Sequence, residues 1–316
     1  MSAKKIITVF GATGAQGGGL AHAILNDKES EFSVRAVTRD LASEKAKKLS
    51  ELGAELIEAD IDDIESVRKA MEGAYGAYCV TFFWAHYSAE KEQKEIKNFA
   101  EAAKATGLKH VIWSTLEDTR ILVPLSDDRM PTLQEKYKVP HFDGKGSSDH
   151  FFEDAGVPVT YLITSFYWDN LIYFGMGPKR GEDGKLSITY PMGDKKLVAI
   201  AAEDIGKCAY GIFKEGTSLL GKRIGIAGDA ITCEEMAATL TTVLGEKVTY
   251  NEVTPEMYRG FGFPGADDLG NMFQYYQEFE KEFLEARNIN YAKKLNPELQ
   301  DFKMWVENNK DRLRME

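Results

Sequence analysis

Three glycines near the N-terminus, Gly11, Gly14 and Gly17, fall at G-x-x-G-x-x-G spacing, with Ala12, Thr13, Ala15 and Gln16 between them. In a dinucleotide site the first glycine permits a tight turn, the second lets the backbone approach a pyrophosphate, and the third lets a helix pack on a strand. A pyrophosphate then rests on the free N–H groups of the helix N-terminus, where the helix dipole favours anions. A reductase built on such a loop also needs a proton donor. The usual set is a tyrosine and a lysine at i and i+4 on one helix face, with a serine from a neighbouring strand end. Ser114 and Lys145 fit two of these places, but the residue four before Lys145 is His141, and Tyr137 is one turn too early. Two readings follow. Histidine is a competent general acid near neutral pH, so a modified reductase is one. In the other, His141 begins the helix, Lys145 holds a cofactor ribose, and no chemistry occurs.

The elements that must position these residues follow from the apolar pattern. Lys4-Lys5 lead into Ile6–Phe10, a β-branched run that reads as a buried strand, and Leu20–Leu25 continues as a helix after the glycines. Further strands are predicted at Phe32–Arg39, Glu55–Asp60, Ala77–Phe83, His110–Thr115 and Val159–Ile163. Helices are predicted at Leu41–Leu52, through Val67 and Met71, at Ser88–Ala105 and at Gly144–Ala155, with Gly53 and Gly107 as stops. This alternation predicts an α/β fold, a Rossmann-type doubly wound parallel sheet with helices on both faces. Leu116–Pro140 is irregular. Beyond Ser165 short strands (Lys185–Tyr190, Arg223–Ile226) mix with helices (Glu203–Phe213, Cys233–Leu244) and a helical tail, Asp267–Arg314. The expected division is a nucleotide-binding domain over 1–164 and a smaller C-terminal α+β domain over 165–316, whose strands can return to the first sheet.

At the end of the second strand, a dinucleotide site takes either an acid for the ribose 2′-OH of NAD or a base for the 2′-phosphate of NADP. The chain reads Val37-Thr38-Arg39-Asp40 there. Arg39 suits a phosphate with two parallel hydrogen bonds, and Lys45 and Lys47 add charge, so NADP(H) is expected; a solvated strand end is the plain alternative. Asp60 and Ile61 close the third strand where a carboxylate and a backbone group meet adenine, although Asp60 serves equally well as a helix N-cap.

The composition limits the function classes. The 316-residue chain is 43% hydrophobic and 28% charged, ordinary for a globular protein. A net charge of −11 argues against direct, non-specific nucleic-acid binding, which needs clustered Lys and Arg. No apolar run is long enough to span a membrane, and the N-terminus has no signal-peptide pattern. Cys79, Cys208 and Cys233 are far apart and the five histidines are scattered, so no metal is expected, and a reducing, cytoplasmic setting is.

Taken together, Gly11–Gly18, Val37-Thr38-Arg39, His141-Phe142-Asp143-Gly144-Lys145-Gly146 and Gly262-Phe263-Pro264-Gly265-Ala266, followed by Asp268-Leu269 and Asn271-Met272-Phe273, resemble the NmrA-like family of atypical short-chain dehydrogenases. More specifically, it is similar to the HSCARG type of NADPH sensor. The resemblance implies NADP(H) binding and a redox-sensing or regulatory role in cytoplasm and nucleus, with little or no dehydrogenase activity. It also implies protein partners such as a transcription factor or a metabolic enzyme, and leaves a homodimer open. The cofactor residues it implies are Gly11–Gly17, Arg39, Asp60 and Ile61. Thr81, Phe83, Lys94 and Lys145 would line the ribose and nicotinamide side, and Tyr167 and Asn170 would close over the nicotinamide. Lys94 is also one of many charges on a solvated helix, and Tyr167 equally fits a core position. Phe82-Phe83 stand where the family has a more polar pair, and Thr164-Ser165 lack an expected proline. An NAD(P)H-dependent reductase of quinone or carbonyl substrates is the alternative function.

Overall fold

The computed structural model describes residues 3–313. Met1 and Ser2 of the N-terminal lead-in and Arg314 of the tail lie outside the described residues. Strand and helix alternate through β1 (Lys5–Val9), α1 (Ala15–Asn26), β2 (Phe32–Thr38), α2 (Glu44–Glu51), β3 (Glu55–Glu58), α3 (Ile64–Met71), β4 (Gly76–Cys79), α4 (Ala89–Thr106) and β5 (His110–Thr115). After an irregular stretch come α5 (Pro140–Gly146), α6 (His150–Ala155), β6 (Val159–Ile163), β7 (Phe166–Tyr167), α7 (Asn170–Tyr173), β8 (Lys179–Arg180), β9 (Leu186–Tyr190), β10 (Lys196–Ile200) and α8 (Ala202–Glu215). The chain ends in β11 (Arg223–Gly225), β12 (Asp229–Thr232), α9 (Cys233–Leu244), β13 (Val248–Glu252), α10 (Pro255–Arg259), α11 (Ala266–Glu278), α12 (Glu280–Glu285), α13 (Ile289–Leu295) and α14 (Phe302–Asn309).

The main sheet has seven strands in the order β11-β6-β5-β4-β1-β2-β3, and its pairings are parallel. β1 pairs with β2 on one side (Ile7 opposite Val34) and with β4 on the other (Val9 opposite Tyr78). Strand order therefore reverses at β1, and a crevice opens there outside the strands' C-terminal ends. The sheet is buried on both faces. Leu20 and Ile24 of α1 and Ile205 and Ile212 of α8 pack on one face. Val67 of α3, Ile96 and Phe99 of α4 and Phe152 of α6 pack on the other. Each such side chain removed from water contributes about 1.5–3 kcal/mol. Two three-stranded sheets, β12-β10-β7 and β13-β9-β8, share a third core with α5 and α11, in which Phe142, Phe166, Tyr190 and Phe273 are buried.

The structure departs from the sequence expectations where side chains find non-local partners. The fourth strand stops at Cys79 rather than Phe83, and Phe83–Ala85 form a 3₁₀ turn whose aromatic rings pack beside His141. α2 begins at Glu44, not Leu41, because Ser43 is its N-cap and the Asp40 carboxylate takes the Ala42 N–H at 2.8 Å. The third strand ends at Glu58, where Asp60 turns onto the Asp62 N–H. The expected helix Gly144–Ala155 starts four residues earlier and is broken into α5 and α6. At the break, Asp149 accepts hydrogen bonds from Trp113, Thr115 and Arg223. The tail is helical as expected, in a succession of short helices. The irregular Leu116–Pro140 stretch is anchored: buried Lys138 donates to the Asp127 and Met130 carbonyls at 2.7 Å each, and Asn271 of α11 donates to the Pro131 and Lys138 carbonyls. Among the described residues no helix is long and apolar enough to cross a membrane.

Candidate functional site

A cleft of about 1990 Å³ follows the crevice from the glycine loop to α5. Gly11, at φ +66°, turns the chain, and its carbonyl accepts the Gly14 N–H at 2.8 Å. Positive φ favours glycine, which carries no Cβ. A Cβ on Gly17 would stand 2.5 Å from the Gly11 carbonyl oxygen, so α1 packs on the loop only because that atom is missing. Gly14 precedes α1 with no side-chain cap, and the first turn carries no acidic residue. A loop of this shape, ahead of an uncapped helix, can cradle a diphosphate.

At one end of the cleft, exposed Arg39 follows β2, and Lys45 and Lys48 join it in the lining. Lys45 Nζ reaches the Thr13 carbonyl of the glycine loop at 3.3 Å, whereas Lys47 bonds Glu44 at 3.2 Å. Asp60 and Ile61 also line the cleft. The cap of α3 is Asp63, not Asp60, whose carboxylate accepts the Asp62 N–H at 3.0 Å. Lys94 is not brought to the site: it stands exposed on α4 outside the cleft lining. The α4 residues on the cleft wall are Lys91 and Glu95. Glu95 Oε1 lies 3.5 Å from His86 Nε2, and burial pushes the Glu95 carboxyl up to about 7 and the His86 imidazole down.

At the other end, the Gln16 side chain is a hub. Its Oε1 accepts from the Tyr78 hydroxyl (2.5 Å) and the Ser114 hydroxyl (2.8 Å), and its Nε2 donates to the Tyr167 hydroxyl (2.6 Å). Burial raises the Tyr167 phenol to about 12, so it stays protonated near neutral pH. Lys145 donates to the Thr81 hydroxyl and lies 3.1 Å from Glu92 Oε1, while the Thr81 hydroxyl donates to that same oxygen at 2.7 Å. Phe83, Lys145, Tyr167 and Asn170 all line the cleft.

His141, the second residue of α5, is bound to α11. Its Nδ1 lies 2.5 Å from Asp268 Oδ1, and its backbone N–H donates to Oδ2 at 3.1 Å. Burial raises the Asp268 carboxyl, and His141 pulls it back. The imidazole packs against Trp84 and Phe142, each at 4.8 Å between ring centres. Tyr137 does not substitute for it: that ring is buried beneath the Arg120 guanidinium and is outside the cleft lining. Among the described residues no group of three or more His, Cys, Asp or Glu is placed to hold a metal.

The model of the NmrA-like family matches residues 3–306. The chain belongs to the NmrA-like family. It is 27% identical over 288 residues to the NmrA-like family domain-containing oxidoreductase lnbB of Aspergillus flavus, covering 87% of this chain and 84% of that one. It is 29% identical over 265 residues to the oxidoreductase malD of Malbranchea aurantiaca, covering 78% and 75%. Its fold matches that of NmrA, a negative transcriptional regulator solved in complex with NADP (TM-score 0.78, 23% identity, 97% and 95% covered). It also matches the Citrobacter sp. triphenylmethane reductase complexed with NADP(H) (TM-score 0.75, 20% identity, 98% and 100% covered).

In this NmrA-like chain, three participants escape sequence reasoning. Tyr78 reads as a core strand residue, Glu92 as one charge on a solvated helix, and Asp268 only as part of a family-like segment. The Gln16 amide is named by the loop pattern, but its partners lie 62, 98 and 151 residues away.

Proposed function

We propose that this NmrA-like protein binds NADP(H) and signals its occupancy to a protein partner, such as a transcription factor or a metabolic enzyme, rather than consuming it. NADPH, when bound, supplies a hydride at its nicotinamide. The glycine cradle and uncapped α1 fit the diphosphate, Arg39 and Lys45 the 2′-phosphate, and Lys145 the nicotinamide-side ribose. One observation carries the sensor reading. Where a reductase of this fold has its tyrosine, His141 is tied to Asp268 of α11. The cofactor site is thereby joined to the C-terminal helices, and α11 also holds the Leu116–Pro140 stretch through Asn271. A shift of α5 on cofactor binding moves both. A signal of this kind requires that cofactor bind the two states with different affinity. Titration with NADPH and NADH, alongside a measurement of oligomer size, tests it: NADPH binds more tightly and changes association or amide-exchange protection in α11. Equal affinities, or no binding, overturn the reading.

A second reading is a reductase of quinone or carbonyl substrates, with His141 as proton donor. The place of His141 in the cleft lining favours it, as do relatives named oxidoreductases. NADPH consumption across a panel of quinones and aldehydes, abolished by His141→Ala with NADPH affinity unchanged, would establish it.

A further inference from the structure

Asp143 of the His141-Phe142-Asp143-Gly144-Lys145 stretch has no part in the cofactor reading, yet it is fully buried and outside the cleft lining. Its Oδ1 accepts the Thr119 N–H at 2.8 Å and the Thr119 hydroxyl at 2.6 Å. Its Oδ2 accepts the N–H groups of Lys138 at 2.7 Å and Val139 at 3.1 Å. One carboxylate therefore ties down both ends of the segment 119–138. Hydrogen bonds to an ionised acceptor are the strong ones, and a buried charge needs them. α5 itself needs such an anchor. It has seven residues, two of them glycine, too few to hold a helix in water without tertiary support. Both glycines serve close contact instead. A Cβ on Gly144 would meet Ala89 and Glu92 of α4 at 3.2 Å, and one on Gly146 would run into the Asp118 backbone nitrogen. α5 is thus wedged between α4 and the Glu117-Asp118 backbone.

We propose that Asp143 is a positioning residue for the cofactor site: by fixing α5 to the segment 119–138, it sets where the Lys145 ammonium stands in the cleft. Residues two apart on a helix fall about 200° apart around its axis. Asp143 accordingly faces the tied segment, while Lys145 faces the cleft with Thr81 and Glu92. A close-packed short helix moves as one piece, so slack on the Asp143 side displaces the ammonium on the other. The carboxylate is required, not only its shape. All four contacts arrive as donors, and an amide in its place would turn an NH2 group on Thr119 or on Lys138 and Val139. The inference rests on the reading that Lys145 holds the nicotinamide-side ribose.

The test is calorimetric titration of the full chain and its Asp143→Asn variant with NADPH and with adenosine 2′,5′-bisphosphate, which has the 2′-phosphate but no nicotinamide ribose. Asp143→Asn is expected to weaken NADPH about tenfold and to leave the bisphosphate unchanged. A general loosening of the fold would weaken both. Action through Lys145 is read in the double variant: once Lys145→Met has removed the ammonium, adding Asp143→Asn costs little further NADPH affinity. Limited trypsin digestion reports without any cofactor: cleavage after Arg129 and Lys136, inside the tied segment, is faster in Asp143→Asn than in the unmodified chain. If Asp143→Asn fails to fold, Thr119→Val removes one of the four donors at nearly constant shape and weakens NADPH roughly threefold, again sparing the bisphosphate. Unchanged NADPH affinity, an equal loss for both ligands, or full additivity with Lys145→Met overturns the proposal. An unmodified chain that binds NADPH while Asp143→Asn changes nothing sinks the positioning role alone. One that binds neither ligand sinks the cofactor reading, and this role with it.

Discussion

Lys145 Nζ lies 3.1 Å from Glu92 Oε1, in an ion pair whose side chains are 11% and 0% exposed. Taking two charges out of water is costly, and their attraction together with the shared Thr81 hydroxyl offsets that cost. Removing one partner strands the other. Glu92→Leu and Lys145→Met are each expected to lower stability by about 3 kcal/mol. Glu92→Leu combined with Lys145→Met costs clearly less than the two single changes added. Urea denaturation of the three variants measures the coupling, and strict additivity would contradict a direct pair. Lys145→Met also weakens NADPH binding, whereas Glu92→Gln leaves a hydrogen-bond partner in place and binds NADPH nearly as well.

The same pair shows what was legible in the sequence. Lys145 is legible because it follows a His-Phe-Asp-Gly stretch, whereas Lys94 is implied by resemblance alone. Residues two apart on a helix fall about 200° apart around its axis, so when α4 buries Glu92 it turns Lys94 to water. β5 and β6 were readable to the residue because short apolar runs bounded by Gly, Lys or Pro leave little choice of register. The strand-end residues were readable for the same local reason: the loop, Arg39 and Asp60 follow strands that the pattern marks. Pairs such as His141 with Asp268, 127 residues apart, depend on how α11 packs on α5. Periodicity carries no information about that packing.

Arg39 stands exposed at the cleft mouth, with Lys45 and Lys48 in the same lining. A charge-assisted hydrogen bond contributes about 1.5–3 kcal/mol. Arg39→Ala is therefore expected to weaken NADPH by roughly ten- to hundredfold and to leave NADH almost unchanged. Isothermal titration at two ionic strengths checks this, because the contribution of an exposed charge shrinks as salt rises. A parallel loss for both cofactors would place Arg39 away from the 2′-phosphate.

Gly17 and Gly14 rank the tightness of the cradle. A Cβ at Gly17 would stand 2.5 Å from the Gly11 carbonyl oxygen and 2.7 Å from that of Phe10, both backbone atoms, while at Gly14 the nearest contact is 3.2 Å. Gly17→Ala must push α1 off the loop. It is expected to reduce NADPH affinity more than tenfold and to cost about 1–3 kcal/mol of stability. Gly14→Ala requires a shift of only a few tenths of an ångström and has the milder effect on both. Thermal unfolding with and without NADPH gives the order, and a larger effect at Gly14 would contradict it.

Glu95 sets a pH dependence of known sign. Burial holds its carboxyl at about 7, with Asp62 and Glu92 pushing the same way and Lys91 and Lys145 opposing. An ordinary glutamate in the unfolded chain ionises at about 4.3, so between these values the folded protein holds a proton that the unfolded chain has released. Stability from this group is fully present below the unfolded value and is lost as pH rises through about 7. His86, 3.5 Å away, has its imidazole lowered by burial and so stays neutral across the upper part of that window, where it does not compensate the new charge. The expected loss is on the order of 1–3 kcal/mol. Glu95→Gln, which keeps the shape without the charge, flattens the decline. Chemical denaturation between pH 5 and pH 8 compares the two proteins, and an equal slope in both would show that Glu95 ionises without cost.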